Sequence, residues 1–454
     1  MNIAKLEQNE AQSFAMTDGI EDGLRWLDAT SVQMAIEQAC SKRTPASIFT
    51  RTGHFRRIAS FLNAPTLVMV ATILGVMLWG CPALSQTGDG VPSVSSGMRP
   101  ATNPEFHDVI LRGNEFLNRD NYKSALEFLE NLKEQHPHHP APYFFKAVAY
   151  QKWMTTFRLK RYQKELEENV QLAIQKGTKF LEKNDDPWIH FYMGGAYGYR
   201  AYYRFLKYEW IGAYIDGQRG MASLRKALKK EPALYDAYLG LGSYHYWRTA
   251  KSNFIRIITF WVPDQRELGL RQLEFCVAHG RYVRYEASYN LIAAYFDDGK
   301  YEKALGVFNR TIGRQKGHSI TDLYIKARLL VELGKWPEVE LLFREILERL
   351  DLYDVSSIGY RVECKYWMAQ SLLGQNRLGE ALGMTAQALA QSETRNPDRE
   401  LDGYFDDFDQ IKAHLSELYA YLKKDTNPQP LRSERKTGKT GFSKQRRGHV
   451  LKVE

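Results

Sequence analysis

A short arrangement recurs along the chain and constrains its fold more than any other feature. In GNEFLNRDNYKSALEFLENLKEQHP, Gly113 to Pro137, a small residue is followed three positions later by Phe116. Phe106 stands seven before Gly113 and Ala125 twelve after it, and then come Leu129, Leu132 and Pro137. YFFKAVAY, Tyr143 to Tyr150, sets Ala147 and Tyr150 where Gly113 and Phe116 stood, 34 residues on. Two antiparallel helices approach closely only where side chains are small, so Gly or Ala amid large apolar residues describes a helical hairpin. One hairpin cannot bury its apolar face alone, so hairpins stack.

The arrangement returns at Met193-Gly194-Gly195-Ala196-Tyr197 and at Leu241-Gly242-Ser243-Tyr244-His245. It returns again at Leu291 to Tyr295, followed by Gly299, Tyr301, Ala304 and Phe308. Val339 and Phe343 take the Ala and Phe places in the next unit, and Ala369 and Leu372 precede Ala381, Thr385 and Ala388 in the last. Counted from seven before each small residue, units start near 106, 140, 187, 235, 285, 320 and 362. Two intervals lie near 34, and the three central ones reach 47 to 50. The inserted YRAYYRFLKYEWIGAYIDGQ, residues 199–218, keeps a helical pattern, so lengthened helices or added turns are expected there. Leu401, Phe405, Phe408, Ile411, Leu415, Leu418 and Leu422 fall at helical spacing, and 401–424 is expected to be a capping helix.

On these positions, residues 104–424 resemble the tetratricopeptide repeat superfamily. The resemblance implies an all-α fold, a right-handed superhelical solenoid of stacked antiparallel helix pairs. It also implies a protein or peptide partner on the concave face lined by the first helix of each unit. On this chain that face would hold Asn114, Tyr199, Tyr246, Trp247, Tyr289, Phe296, Tyr324 and Arg328. Aromatics give large contact area at small entropic cost; the same rings can equally be core between units. GGAYGYR and YDAYLGLGSYHYWR look like a bacterial envelope subgroup with long central repeats. Some members grip a terminal carboxylate through a Lys and an Asn, but Ile110 and Phe145 stand at those places, so that clamp is not expected.

Ahead of the repeats, residues 58–88 carry no charge, and LVMVATILGVMLWG, Leu67 to Gly80, is the most apolar run. Arg51, Arg56 and Arg57 precede it, as in a signal peptide or membrane anchor. Leu78-Trp79-Gly80-Cys81 resembles a bacterial lipobox in which Cys81 would be acylated, with Trp79 departing from the small residue of that pattern. Cleavage after Ala83-Leu84-Ser85 and retention as an anchor are the other outcomes. Each places the following residues outside the cytoplasmic membrane, in the bacterial cell envelope or periplasm. Residues 1–57 read as a disordered leader or as the product of a start codon assigned too early, with Met16 and Met34 as internal starts. Residues 89–103 are rich in Gly, Ser and Pro and read as a flexible linker.

The formal charge of +9 is concentrated in the tail. Residues 425–454 hold eight Lys and Arg against three Asp and Glu, so the repeats themselves are near balance. The tail is expected to be disordered. Cys276 and Cys364 fall at apolar helix positions and are expected as buried thiols. HPHHP, His136 to Pro140, holds three His but lies between two prolines at a unit boundary, without a nearby carboxylate or Cys at ligand spacing. No nucleophile elbow, zincin, P-loop or dinucleotide fingerprint occurs. The expectation is a non-catalytic scaffold with no metal, no cofactor and no nucleic-acid partner. Two alternatives stand beside it. One is an accessory or enzymatic subunit with a small-molecule or lipid pocket at Tyr197, His245 and Tyr246 in the stretched repeats. The other is binding of nucleic acid or anionic lipid through the basic tail.

Overall fold

A computed structural model describes residues 90–91, 99–207, 209–250, 264–315, 317–353 and 356–426. The leader, the apolar segment 58–88 with Cys81, and the tail beyond residue 426 lie outside the described residues. Among those described, no helix is long and apolar enough to cross a membrane.

Fifteen α-helices are described. The first eight are α1 (His107–Asn118), α2 (Tyr122–Gln135), α3 (Pro140–Phe157), α4 (Gln163–Leu181), α5 (Pro187–Leu206), α6 (Trp210–Lys230), α7 (Ala237–Ala250) and α8 (Arg266–His279). Then follow α9 (Arg284–Asp297), α10 (Tyr301–Arg310), α11 (Ile320–Glu332), α12 (Trp336–Asp351), α13 (Ile358–Gly374), α14 (Leu378–Ser392) and α15 (Phe408–Thr426). Successive helices pack on one another throughout, as a hairpin array requires. Two of the three long intervals appear as lengthened helices, with 18 and 19 residues in α3 and α4 and 20 and 21 in α5 and α6; the third holds α7 and α8 of 14 residues each, with residues 251–265 between them.

The helix starts follow local chemistry. Asp186 accepts hydrogen bonds from Trp188 N and Ile189 N ahead of Pro187, which needs no partner at a first helical position. Ser319 and Asp322 form a reciprocal capping box on α11. Ser357 accepts from Tyr360 N at the head of α13.

The small residues meet neighbours as the crossing argument demands in the middle of the array. A Cβ on Gly194 would stand 2.7 Å from Leu224 and 3.3 Å from Gly220 O on α6. One on Gly242 would stand 2.9 Å from Gly269 O on α8. Ala147, Ala304 and Ala381 are fully buried. Gly113 differs: it is buried, yet a Cβ there would meet nothing within 4 Å. Across this helix pair the rings of Phe116 and Phe128 lie 5.9 Å apart.

Two expectations are corrected. The linker ends before residue 103. Asn103 is buried, donates to Tyr192 Oη at 2.8 Å, and its side chain accepts from Phe106 N at 2.7 Å; Ala101 N donates to Ala233 O. The capping helix begins at Phe408, not at 401. Residues 401–407 stay non-helical because Leu401 N is taken by Arg158 O at 2.9 Å and Phe405 is drawn onto another helix. Within the non-helical stretch, Asp406 pairs with buried Arg328.

The HPHHP turn serves structure. His139 accepts from Ala141 N through Nδ1, capping α3, and its ring lies 4.7 Å from Phe106. Burial, with His136 beside it, lowers the His139 pKa to about 4. A His whose folded pKa lies below its ordinary value stabilises the fold above that ordinary value, and the contribution fades as pH falls toward 4. The melting temperature should therefore drop on acidification from pH 6.5 toward 4, and His139→Asn should flatten that slope. Thermal melts at several pH values check this; an unchanged slope in the variant refutes it.

Candidate functional site

The array closes on itself, and the closure builds the site. Arg158 follows α3 with φ 53° and ψ 48°, a left-handed conformation uncommon outside glycine. That turn sends its guanidinium between α11 and α13. There Arg158 Nη1 donates to Glu363 Oε2 at 2.5 Å. Its guanidinium carbon lies 3.8 Å from the Tyr360 ring centroid and 4.7 Å from that of Tyr324. Ser357 N donates to Phe157 O, Ile320 N to Asp120, and Thr156 meets Thr321, so early and late units touch directly.

Glu363 is the hub. It accepts from Tyr324 Oη at 2.7 Å and lies 3.5 Å from Arg328. Burial alone would push its carboxyl up, but Arg158 and Arg328 outweigh burial and hold it below the usual range. Arg328 is 2% exposed, pairs with Asp406 and Glu332, and lies 4.2 Å over the Trp367 ring. Asp406 is raised instead: burial there exceeds the pull of Arg328.

The eight residues assigned to an open concave face are placed as follows. Phe296, Tyr324 and Arg328 come together, with Phe405 stacked on Phe296 at 4.0 Å. Tyr289 donates to Asp322 at 2.6 Å. Asn114 donates to Tyr282 O, which ties α1 to the start of α9. Tyr246 is buried and donates to Ala294 O and Asp297, with Trp247 edge-on beside it. Tyr199 packs near Phe144, 6.4 Å between centroids. The inner face is thus filled by the chain's own groups, and Tyr246, Tyr324 and Arg328 are core rather than open surface.

Arg158, Glu363, Trp367 and Asp406 were not singled out from the sequence, and Phe405 was read only as part of the capping helix. The one sequence signal was a charge on an apolar helix face, as with Glu363 between Val362 and Cys364. Both of those neighbours are buried, and Cys276 and Cys364 are buried free thiols.

Tyr197, His245 and Tyr246 do not line the groove that lies over α8 to α10. That groove, about 690 Å³, is lined in part by Arg284, Arg310, Arg314, Tyr285 and Tyr295. Among the described residues, no three His, Cys, Asp or Glu converge as a metal site would need.

These helix pairings define an α-helical hairpin-repeat protein, and the crossings at Gly194 and Gly242 are those the tetratricopeptide resemblance implied. No protein-family model matches the chain, and no curated protein does. Solved structures similar to it include the C-terminal part of a TPR repeat-containing protein from Cytophaga hutchinsonii, at 16% identity and TM-score 0.32, covering 64% of this chain and 97% of that one. Another is a tetratricopeptide repeat protein from Parabacteroides merdae, at 13% identity and TM-score 0.29, covering 71% and 100%. A third is the TPR2AB-domain:pHSP90 complex of yeast Sti1, at 15% identity and TM-score 0.23, covering 70% and 98%. With TM-scores this low, the fold assignment rests on the chain's own helix pairs.

Proposed function

We propose that the chain is a non-catalytic helical-repeat scaffold of the bacterial cell envelope that binds a protein or peptide partner on its inner face. The observation that carries this reading is the cluster of Phe296, Tyr324, Arg328 and Trp367 beside the partly exposed, non-helical segment 402–407. Rigid aromatics around a buried arginine are the composition of interaction hot spots. The basic-then-apolar segment before residue 89 supports the envelope placement.

A photo-crosslinking residue at Tyr404, which is 46% exposed on that segment, tests the reading in cells. It should capture one discrete partner, whereas the same residue at Glu115 on α1 should not. No adduct at Tyr404, or the same adduct from both positions, refutes the inner-face reading. Palmitate labelling of the membrane fraction, with Cys81→Ala as control, tests the anchor. Recovery of the unlabelled chain in the cytoplasmic fraction alone refutes the envelope placement.

A further inference from the structure

We propose that residues Asp402–Asp407 are an intramolecular stand-in for the partner. The inner face then takes a peptide presenting an aromatic ring followed directly by a carboxylate, and the partner displaces this segment to bind. The inference rests on the scaffold reading above and names the chemistry of its partner.

The first support is the connection itself. Residues 393–407 join α14 to α15, whereas three-residue connections suffice at 119–121, 298–300, 333–335 and 375–377. Helix connections in such arrays usually take 2 to 8 residues, and longer ones without secondary structure tend to be functional.

The second is the manner of docking. Leu401 N donates to Arg158 O and Lys160 N to Arg399 O, each at 2.9 Å. Leu159 and Glu400 thereby form an antiparallel bridge. This pairing belongs to residues 399–401, which stay in place and position the segment that follows. The anchors follow at once. Phe405 stacks on Phe296 at 4.0 Å and faces Tyr324 at 6.0 Å, and Asp406 pairs with Arg328.

The third is an imperfect fit. Arg328 Nε and Arg158 Nη2 are buried and meet no acceptor among the described residues. Buried donors left unmade carry a penalty, so a ligand with more carboxylate or carbonyl oxygens fits this face better than the resident segment does. The segment is also unevenly held. Glu400 is buried and accepts from Ser357 Oγ and Gly359 N, which fixes the head of α13. Asp402, Tyr404 and Asp407 are exposed. Glu400 is thus a fixed post, and lifting 402–407 would break the pairs of Asp402 with Arg395, at 2.6 Å, and of Asp406 with Arg328.

The test uses the full chain and a fluorescein-labelled peptide of sequence LDGYFDDF, that of Leu401–Phe408. By anisotropy, Phe405→Ala/Asp406→Ala should bind the peptide at least tenfold more tightly than the wild type. A peptide with Ala for its second aromatic and Asn for the next Asp should lose binding. Equal weak binding by both chains, with both folded by circular dichroism, overturns the proposal. A second measurement stands if the double variant does not fold. In the wild type, excess peptide should raise hydrogen exchange at 402–407 and leave 396–401 unchanged. Exchange unchanged in both stretches overturns the proposal. If the peptide fails while the Tyr404 crosslink succeeds, the stand-in is wrong and the scaffold reading survives. If the peptide binds while no partner crosslinks, the face takes such peptides but the scaffold reading has failed.

Discussion

Glu363→Ala should lower the unfolding free energy by about 3–5 kcal/mol, the usual consequence of removing one partner from a buried ion cluster. The carboxylate is 2% exposed and faces Arg158 at 2.5 Å and Arg328 at 3.5 Å. Its removal leaves two buried guanidiniums with too few carboxylates, and Tyr324 loses its acceptor. It also unfastens the closure, because Arg158 is the residue that reaches from α3 into the late units. Urea unfolding gives the measurement, and a loss below about 1 kcal/mol would mean that water already screens the cluster. A paired replacement separates charge from packing. Arg158→Met with Glu363→Leu should recover much of the loss, since well-packed apolar pairs often match buried ion pairs. The pH dependence has a definite sign. Glu363 is held below its ordinary pKa of 4.5, so its contribution is present above that value and fades as pH falls through the lowered one.

The repeats were legible because their determinants are local. The step from Gly194 to Tyr197, or from Ala304 to Phe308, lies within one helix, and helical periodicity reports which face is buried. Helix lengthening in the middle was legible for the same reason. The inner face was not, because its determinants are far apart in sequence. Arg158 and Glu363 are separated by 205 residues, and nothing local marks either as the other's partner. Arg328 was named from the sequence but assigned to open surface. It lies on α11, and the groups that cover it, Trp367, Phe405 and Asp406, come from residues 39 to 78 positions further along the chain. Phe405 was misread for another reason. Its spacing to Phe408 and Ile411 fits a helix, but tertiary contact with Phe296 and backbone pairing near Leu401 override that local preference.

Gly242→Val and Gly113→Ala should have opposite outcomes, although both glycines occupy the same place in the repeat. A Cβ at Gly242 would stand 2.9 Å from Gly269 O and 3.0 Å from Leu273 N, and neither backbone atom can turn aside as a side-chain tip could. Valine adds two methyls to that clash, so α7 and α8 must separate, at a loss of about 3 kcal/mol. At Gly113 a methyl meets nothing within 4 Å, and alanine is the better helix former, so stability should rise by about 0.5–1 kcal/mol. Gly269→Ala probes the same contact from the other side, with Tyr246 N at 2.6 Å. Because both changes open one interface, the double variant Gly242→Val/Gly269→Ala should lose less than the sum of the singles. Urea midpoints for the wild type and the four variants decide the matter. A neutral Gly242→Val, or strictly additive losses, would mean that α7 and α8 do not nest at this crossing.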